Sequence, residues 1–142
     1  MAWTTPKTDW SVHYDQYGKY AGDFINIGDY KRIKDNVSYI ISLAELIVYD
    51  TYPAMGADKT YLEYPRASEW NDIESALAQL AGNIGIFFEV KTFMENGKTP
   101  DFNELNRIES MTLRLKTIYE TTVNATYRMS FTLGRERSVI RT

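Results

Sequence analysis

The feature that most constrains this chain is a short pattern stated three times. Gly28-Asp29-Tyr30-Lys31-Arg32-Ile33-Lys34, Ser68-Glu69-Trp70-Asn71-Asp72-Ile73-Glu74 and Asn103-Glu104-Leu105-Asn106-Arg107-Ile108-Glu109 each carry an acid, a large apolar residue, two polar residues, isoleucine and a charged residue. The three isoleucines lie 40 and then 35 residues apart. Recurrence at that spacing is the signature of a small array of similar helices.

Each copy falls where a helix should begin. Asn26 can accept a bond from the free backbone N–H groups of a first turn, and Asp29, three residues on, can reciprocate. Asp101 and Glu104 form the same capping box just after Pro100, and Glu69 is the matching acid of the second copy. Apolar residues then recur every three or four positions, the helical period. Tyr30, Ile33, Val37, Ile40, Ile41, Ala44, Ile47 and Val48 carry the first helix to about Tyr49, a length of roughly 35 Å at 1.5 Å per residue. Trp70, Ile73, Leu77, Leu80, Ala81 and Ile84 mark the second, weakened by Gly82 and Gly85. Leu105, Ile108, Met111, Leu115, Ile118 and Tyr119 mark the third, with the β-branched cluster Thr121, Thr122, Val123 and Thr126 predicting its end or loosening. Beyond it, Tyr127, Met129, Phe131 and Leu133 alternate with polar residues, a strand pattern closed by Gly134 and a basic tail. Such a strand needs a partner for its backbone groups. The apolar stretch at 86–95 fits neither period.

One amphipathic helix cannot bury its stripe alone, whereas three can close around a shared core. The expected fold is all-α: a single domain over 1–142, with an extended aromatic arm at 1–25, a three-helix bundle at 26–126, and a short strand with a basic tail at 127–142. A chain of 142 residues can support such a core without disulfides or metal.

Outside the bundle, the residues that stand out are aromatic. There are eleven Tyr, three Trp and only six Phe, and Tyr and Trp suit half-buried and interface positions. Trp3, Trp10, Tyr14 and Tyr17 in the arm, with Tyr127, Met129, Phe131 and Leu133, are the candidate partner contacts. Docking on the chain's own helices and docking on a neighbour both fit the arm. Net charge is −3 with no Lys/Arg stripe, which disfavours nucleic acid. Cysteine is absent. The polar stretch from Met1 to Trp10 does not read as a signal peptide, and no apolar run is long enough for a bilayer, so a soluble protein without membrane contact is expected. His13 is the only histidine, too few for a His-based metal site or triad. Asp101, Glu104 and Glu109 read as capping and solvated helix residues. No catalytic residue, metal or cofactor is expected.

The stretches Trp3-Thr4-Thr5-Pro6-Lys7-Thr8-Asp9-Trp10, Ile25-Asn26-Ile27-Gly28-Asp29-Tyr30-Lys31-Arg32-Ile33 and Asp101-Phe102-Asn103-Glu104-Leu105-Asn106-Arg107-Ile108-Glu109-Ser110 together resemble small structural proteins of tailed bacteriophages and prophages of Gram-positive bacteria. Met55-Gly56-Ala57-Asp58-Lys59 and Phe131-Thr132-Leu133-Gly134 extend the resemblance over most of the chain. It implies a non-enzymatic virion component of the tail, baseplate or fibre-attachment region, made in the host cytoplasm and joined to other virion proteins in several copies. An adaptor is the role it favours. The alternative is a module that binds a host-surface saccharide through exposed Trp and Tyr.

Overall fold

In the computed structural model, which describes residues 3–60, 63–95, 97 and 100–140, with side chains described as far as Tyr127, three helices pack together. They are α1 (Ile27–Ala44), α2 (Ala67–Gly82) and α3 (Phe102–Ile140), and each contacts the other two. Among the described residues there is no strand, only one isolated bridge between Tyr14 and Tyr20. No described helix is long and apolar enough to cross a membrane.

The helix starts follow the capping chemistry. The Asn26 side chain accepts from Asp29 N–H at 3.0 Å while Asp29 accepts from Asn26 N–H at 2.9 Å. Asp101 and Glu104 reciprocate in the same way at 2.8 and 2.9 Å. α2 has half a box: Glu69 accepts from Arg66 N–H at 2.7 Å, but Arg66 has no side-chain acceptor to return the bond.

The echoed residues form layers of the core. The apolar anchors Tyr30, Trp70 and Leu105 are buried, as are Ile33, Ile73 and Ile108. One turn deeper lie Val37, Leu77 and Thr112, then Ile40, Leu80 and Leu115, all buried. Each large apolar side chain so enclosed contributes roughly 1.5–3 kcal/mol of transfer free energy before entropy is counted. Thr112, the polar exception, donates its hydroxyl to Glu109 O at 2.7 Å.

One boundary differs from the sequence reading, and one falls where the glycines were expected to weaken or stop the helix. α1 ends at Ala44 rather than Tyr49, and Glu45 to Val48 turn away on bonds to Ile41, Leu43 and Ala44 carbonyls. α2 stops at Gly82, and Gly85 takes a φ of +75°, a left-handed conformation open to glycine. Residues 86–95 have no regular structure, although Phe88 and Phe93 reach the core.

The larger correction is at the C-terminal end. Tyr127, Met129, Phe131 and Leu133 lie in α3, not in a strand, and the helix runs 39 residues to Ile140. The threonines that suggested an end, Thr121, Thr122 and Thr126, are accommodated inside the helix, as is Thr117 before them. Thr117, Thr121, Thr122 and Thr126 donate their hydroxyls to the carbonyls four residues back, which removes their competition with the backbone ladder. With no proline and no neighbouring edge to pair with, the alternating pattern yields to continuation of the helix. Of the basic tail, Arg141 and Thr142 lie outside the described residues.

Candidate functional site

Two glutamates lie at the centre of the molecule's polar architecture, and both occupy the position after the echoed isoleucine. Glu74 and Glu109 are fully buried. A buried carboxylate is costly unless paired and hydrogen-bonded. Each is paired with an arginine from the neighbouring helix, and that arginine occupies the position just before the echoed isoleucine. Arg32 of α1 reaches Glu109 through Nε at 2.8 Å and Nη2 at 3.0 Å. Arg107 of α3 reaches Glu74 through Nη1 at 2.9 Å and through Nη2. Both pairs are two-pronged, the geometry that suits guanidinium and carboxylate. Arg32 also holds Asp29 at 2.7 Å. Burial works against the Arg32 charge, but the bonds to Glu109 and Asp29 outweigh it and raise its pKa.

The same two glutamates hold extended chain segments, here called straps. Glu109 accepts Lys7 N–H at 3.1 Å and the Trp10 indole N–H at 2.5 Å. Asn106, three residues before it, clamps the Trp10 backbone by accepting its N–H at 2.8 Å and donating to its carbonyl at 2.9 Å. Glu74 takes Lys91 N–H at a long 3.4 Å. Asn71, again three residues before, clamps the Phe93 backbone at 2.8 and 2.9 Å. The straps themselves are alike: Lys7-Thr8-Asp9-Trp10 on α3 and Lys91-Thr92-Phe93 on α2. On α1 the polarity is reversed. Lys34 replaces the glutamate and, with Lys31, binds Asp58 of a third strap at 55–59, which Lys59 ties to Glu69 of α2 at 2.6 Å. Gly56 fits closely there: a Cβ would stand 3.1 Å from both Glu69 Oε1 and the Tyr30 hydroxyl, so any larger residue would push those side chains back by a few tenths of an ångström.

The straps after α1 and α2 each lie on the helix that precedes them, and the set closes when the N-terminal strap lies on the last helix. Asn36 extends that closure by clamping the Thr4 backbone at 3.0 and 2.7 Å. Trp10 is 4% exposed and stacks on Phe102 with ring centroids 5.5 Å apart, while Lys7 and Arg32 stand 5.4 and 6.0 Å from its ring. Trp3 is half-buried between Tyr39, at 5.8 Å, and the ammonium of Lys116, at 5.1 Å.

Trp3 and Trp10 thus serve the chain's own fold. Tyr14 and Tyr17 are exposed, on a segment at 11–25 whose backbone bonds run from Ser11 to Asp23 and from His13 to Ala21. Tyr127 is exposed on α3, and Met129, Phe131 and Leu133 follow it on the same helix. The helix-start residues Asn26, Asp29, Glu69, Asp101 and Glu104 cap; Tyr30, Trp70, Leu105, Ile33, Ile73 and Ile108 pack. Glu109 is the correction: it is a buried hub, not a solvated helix residue. Its signal in the sequence was the coincidence with Glu74, and the arginine that precedes each of Ile33 and Ile108.

A cleft of about 450 Å³ opens between the starts of α1 and α2, lined chiefly by Ile25, Ile27, Tyr30, Tyr64, Pro65 and Trp70. Among the described residues the buried Tyr30 hydroxyl has no hydrogen-bond partner. Burial, then the nearby Glu69, Asp72 and Asp58 carboxylates, push its pKa up to about 12. Among the described residues no group of His, Asp and Glu could hold a metal ion. No family model, curated protein or solved structure matches the chain.

Proposed function

We propose that the chain is a non-enzymatic structural protein of a tailed bacteriophage or prophage particle, an adaptor in the tail, baseplate or fibre-attachment region that works in several copies. The reading rests on the resemblance carried by residues 3–10, 25–33 and 101–110. One observation supports it on physical grounds. Val123 is the last buried residue among those described, yet α3 continues to Ile140, and Tyr127 on that extension is 55% exposed. At 1.5 Å per residue α3 is about 58 Å long against about 27 Å for α1. In this reading the strapped bundle is a rigid spacer, and the extension and the exposed aromatics of residues 11–25 meet neighbouring proteins. The strand addition expected from the sequence is replaced by a helix as the contact element. The particle needs this chain for neither nucleic-acid nor membrane contact. Mass spectrometry of purified particles tests the proposal: the chain is expected at a fixed stoichiometry to the other tail-region proteins, and its absence from them overturns the reading.

The cleft favours a second reading, a site for a host-surface saccharide. Trp3 and Trp10 are too enclosed to serve it, but Tyr64 is exposed at the cleft, and the exposed Phe24 directly precedes Ile25 of its lining. Glycan-array binding that is lost in Tyr64→Ala would favour it over the adaptor.

A further inference from the structure

We propose that the part of α3 beyond Val123 is a docking helix for an acidic amphipathic helix of a neighbouring protein. The inference rests on the adaptor reading for the extension's role as a contact element, and it names the chemistry of what the extension meets.

The first observation is that this part of α3 has left the bundle. Asn124, Ala125, Thr126 and Tyr127 are all exposed, and four successive positions complete a full turn. Among the described residues no side of the helix is covered where it emerges, yet it continues about 25 Å beyond Val123 to Ile140. Its composition gives that length little support. Gly134 and the β-branched Thr126, Thr132, Val139 and Ile140 all disfavour a free helix, and most helical stability in proteins comes from packing an apolar face.

The second observation is charge. Residues 124–142 contain four Arg, no Lys and one Glu, a net charge of +3. Residues 1–123 carry a net charge of −6, and their bases are eight Lys and four Arg. An acidic body thus carries a basic helix, and the complement of that helix is an acidic surface. Arginine without lysine, together with Tyr127, Met129 and Phe131, is the composition of a protein interface.

The third observation is register. Ala125, Met129, Leu133 and Ile140, at spacings of four, four and seven, keep to one side of the helix, with Glu136 the one interruption. Arg128 and Arg135 stand roughly a third of a turn to one side of that seam and Arg137 roughly a quarter turn to the other. An apolar seam flanked by charge of one sign selects a helix whose flanks carry the other sign. The occupant is therefore a helix with an apolar stripe bordered by Asp and Glu. A second copy of the extension, basic on the same flanks, is repelled.

The probe that tests this is a synthetic peptide of about three heptads with Leu at both seam positions and Glu elsewhere, titrated into the full chain at pH 7 and low salt. Expected is saturable binding with a gain in helical ellipticity, weakened by about tenfold or more in about 0.5 M salt. Truncation after Val123 should weaken it by about tenfold or more, as should Arg128→Glu with Arg135→Glu in the full chain. Both variants keep every buried residue of α3 among those described, and the second keeps the helix length, so its loss reports charge alone. No binding by the full chain, binding unchanged in both variants, or equal binding of a peptide with Lys in place of Glu overturns the proposal. Binding to phosphatidylglycerol vesicles or duplex DNA without binding to the Leu/Glu peptide assigns the basic helix to another class of surface and also overturns it. The two readings fail separately: absence of the chain from purified particles removes the virion role and leaves peptide binding standing, whereas a chain present in particles that ignores the peptide removes the docking helix alone.

Discussion

Glu109→Gln removes one charge from the centre of the strapped bundle and almost no volume. The carboxylate now receives Arg32 Nε, Arg32 Nη2, the Trp10 indole N–H and Lys7 N–H, from 2.5 to 3.1 Å. Its side chain is fully buried and that of Arg32 is 16% exposed. The amide has a single acceptor oxygen and brings two donors, so at least two of the four donors lose their acceptor, and Arg32 keeps only Asp29 as a charged partner. Removing one partner of a buried ion pair costs about 3–5 kcal/mol, because the other charge stays buried. For a chain of this size each kcal/mol lowers Tm by about 2–4 °C, so a fall of about 6–20 °C is expected. The assay is urea and thermal unfolding at pH 7, followed by circular dichroism and by tryptophan fluorescence. The control is Glu104→Gln, which loses only a capping interaction, an effect of about 0.5–2 kcal/mol. A Glu109→Gln loss no larger than that of Glu104→Gln would refute the hub assignment.

The two asparagine clamps should behave as a pair. Asn71→Ala and Asn106→Ala each strand a buried backbone N–H and carbonyl, a loss of about 1–3 kcal/mol, and hydrogen exchange should quicken at Phe93 in the first and at Trp10 in the second. Ala125→Pro lies past Val123, the last buried residue of α3 among the described side chains, so it should lower helical ellipticity while leaving the urea midpoint nearly unchanged; a strand at 127–133 would leave the ellipticity unaffected. Tyr30 and Tyr119, the latter donating to Leu80 O at 2.6 Å, both have folded-state pKa values pushed up to about 12, chiefly by burial. The unfolded value is near 10, so the folded chain holds these protons more tightly. Stability from both groups is full below pH 10 and lost as pH rises towards 12, by about 2–3 kcal/mol per tyrosine. An unfolding free energy constant from pH 9 to 12 would contradict this.

How much of this was legible in the sequence depended on whether the responsible partners were close in the chain. Capping boxes span three residues, so Asn26 with Asp29 and Asp101 with Glu104 could be read directly. The periodic apolar faces gave Ile33, Ile73 and Ile108 their buried places. Glu109 was not legible, because what makes a buried carboxylate tolerable is Arg32, 77 positions away, and Trp10, 99 away. The pattern that could have signalled it was present: acid after the isoleucine in two copies, arginine before it in two, and lysine in the odd position of the first. The arm's aromatics likewise divide in a way that composition does not reveal. Trp10 is enclosed because Asn106 and Glu109 satisfy its polar groups, while Tyr17 stays exposed because its local bonds hold a turn away from the helices. At 127–133, alternation in seven residues was weaker evidence than an unbroken helix arriving from Phe102.

The central claim is that residues 3–10 complete the bundle by lying on α1 and α3 as the N-terminal strap. Native-state hydrogen exchange of the full chain at pH 7 tests it most directly, since the Thr4, Lys7 and Trp10 amides each donate to a side chain on a helix, at 3.0, 3.1 and 2.8 Å. Protection of these three amides close to that of Phe93, and far above that of Tyr17 in the tether, is the predicted result. Exchange of all three at the rate of an unstructured peptide, with α3 still protected, would contradict the account.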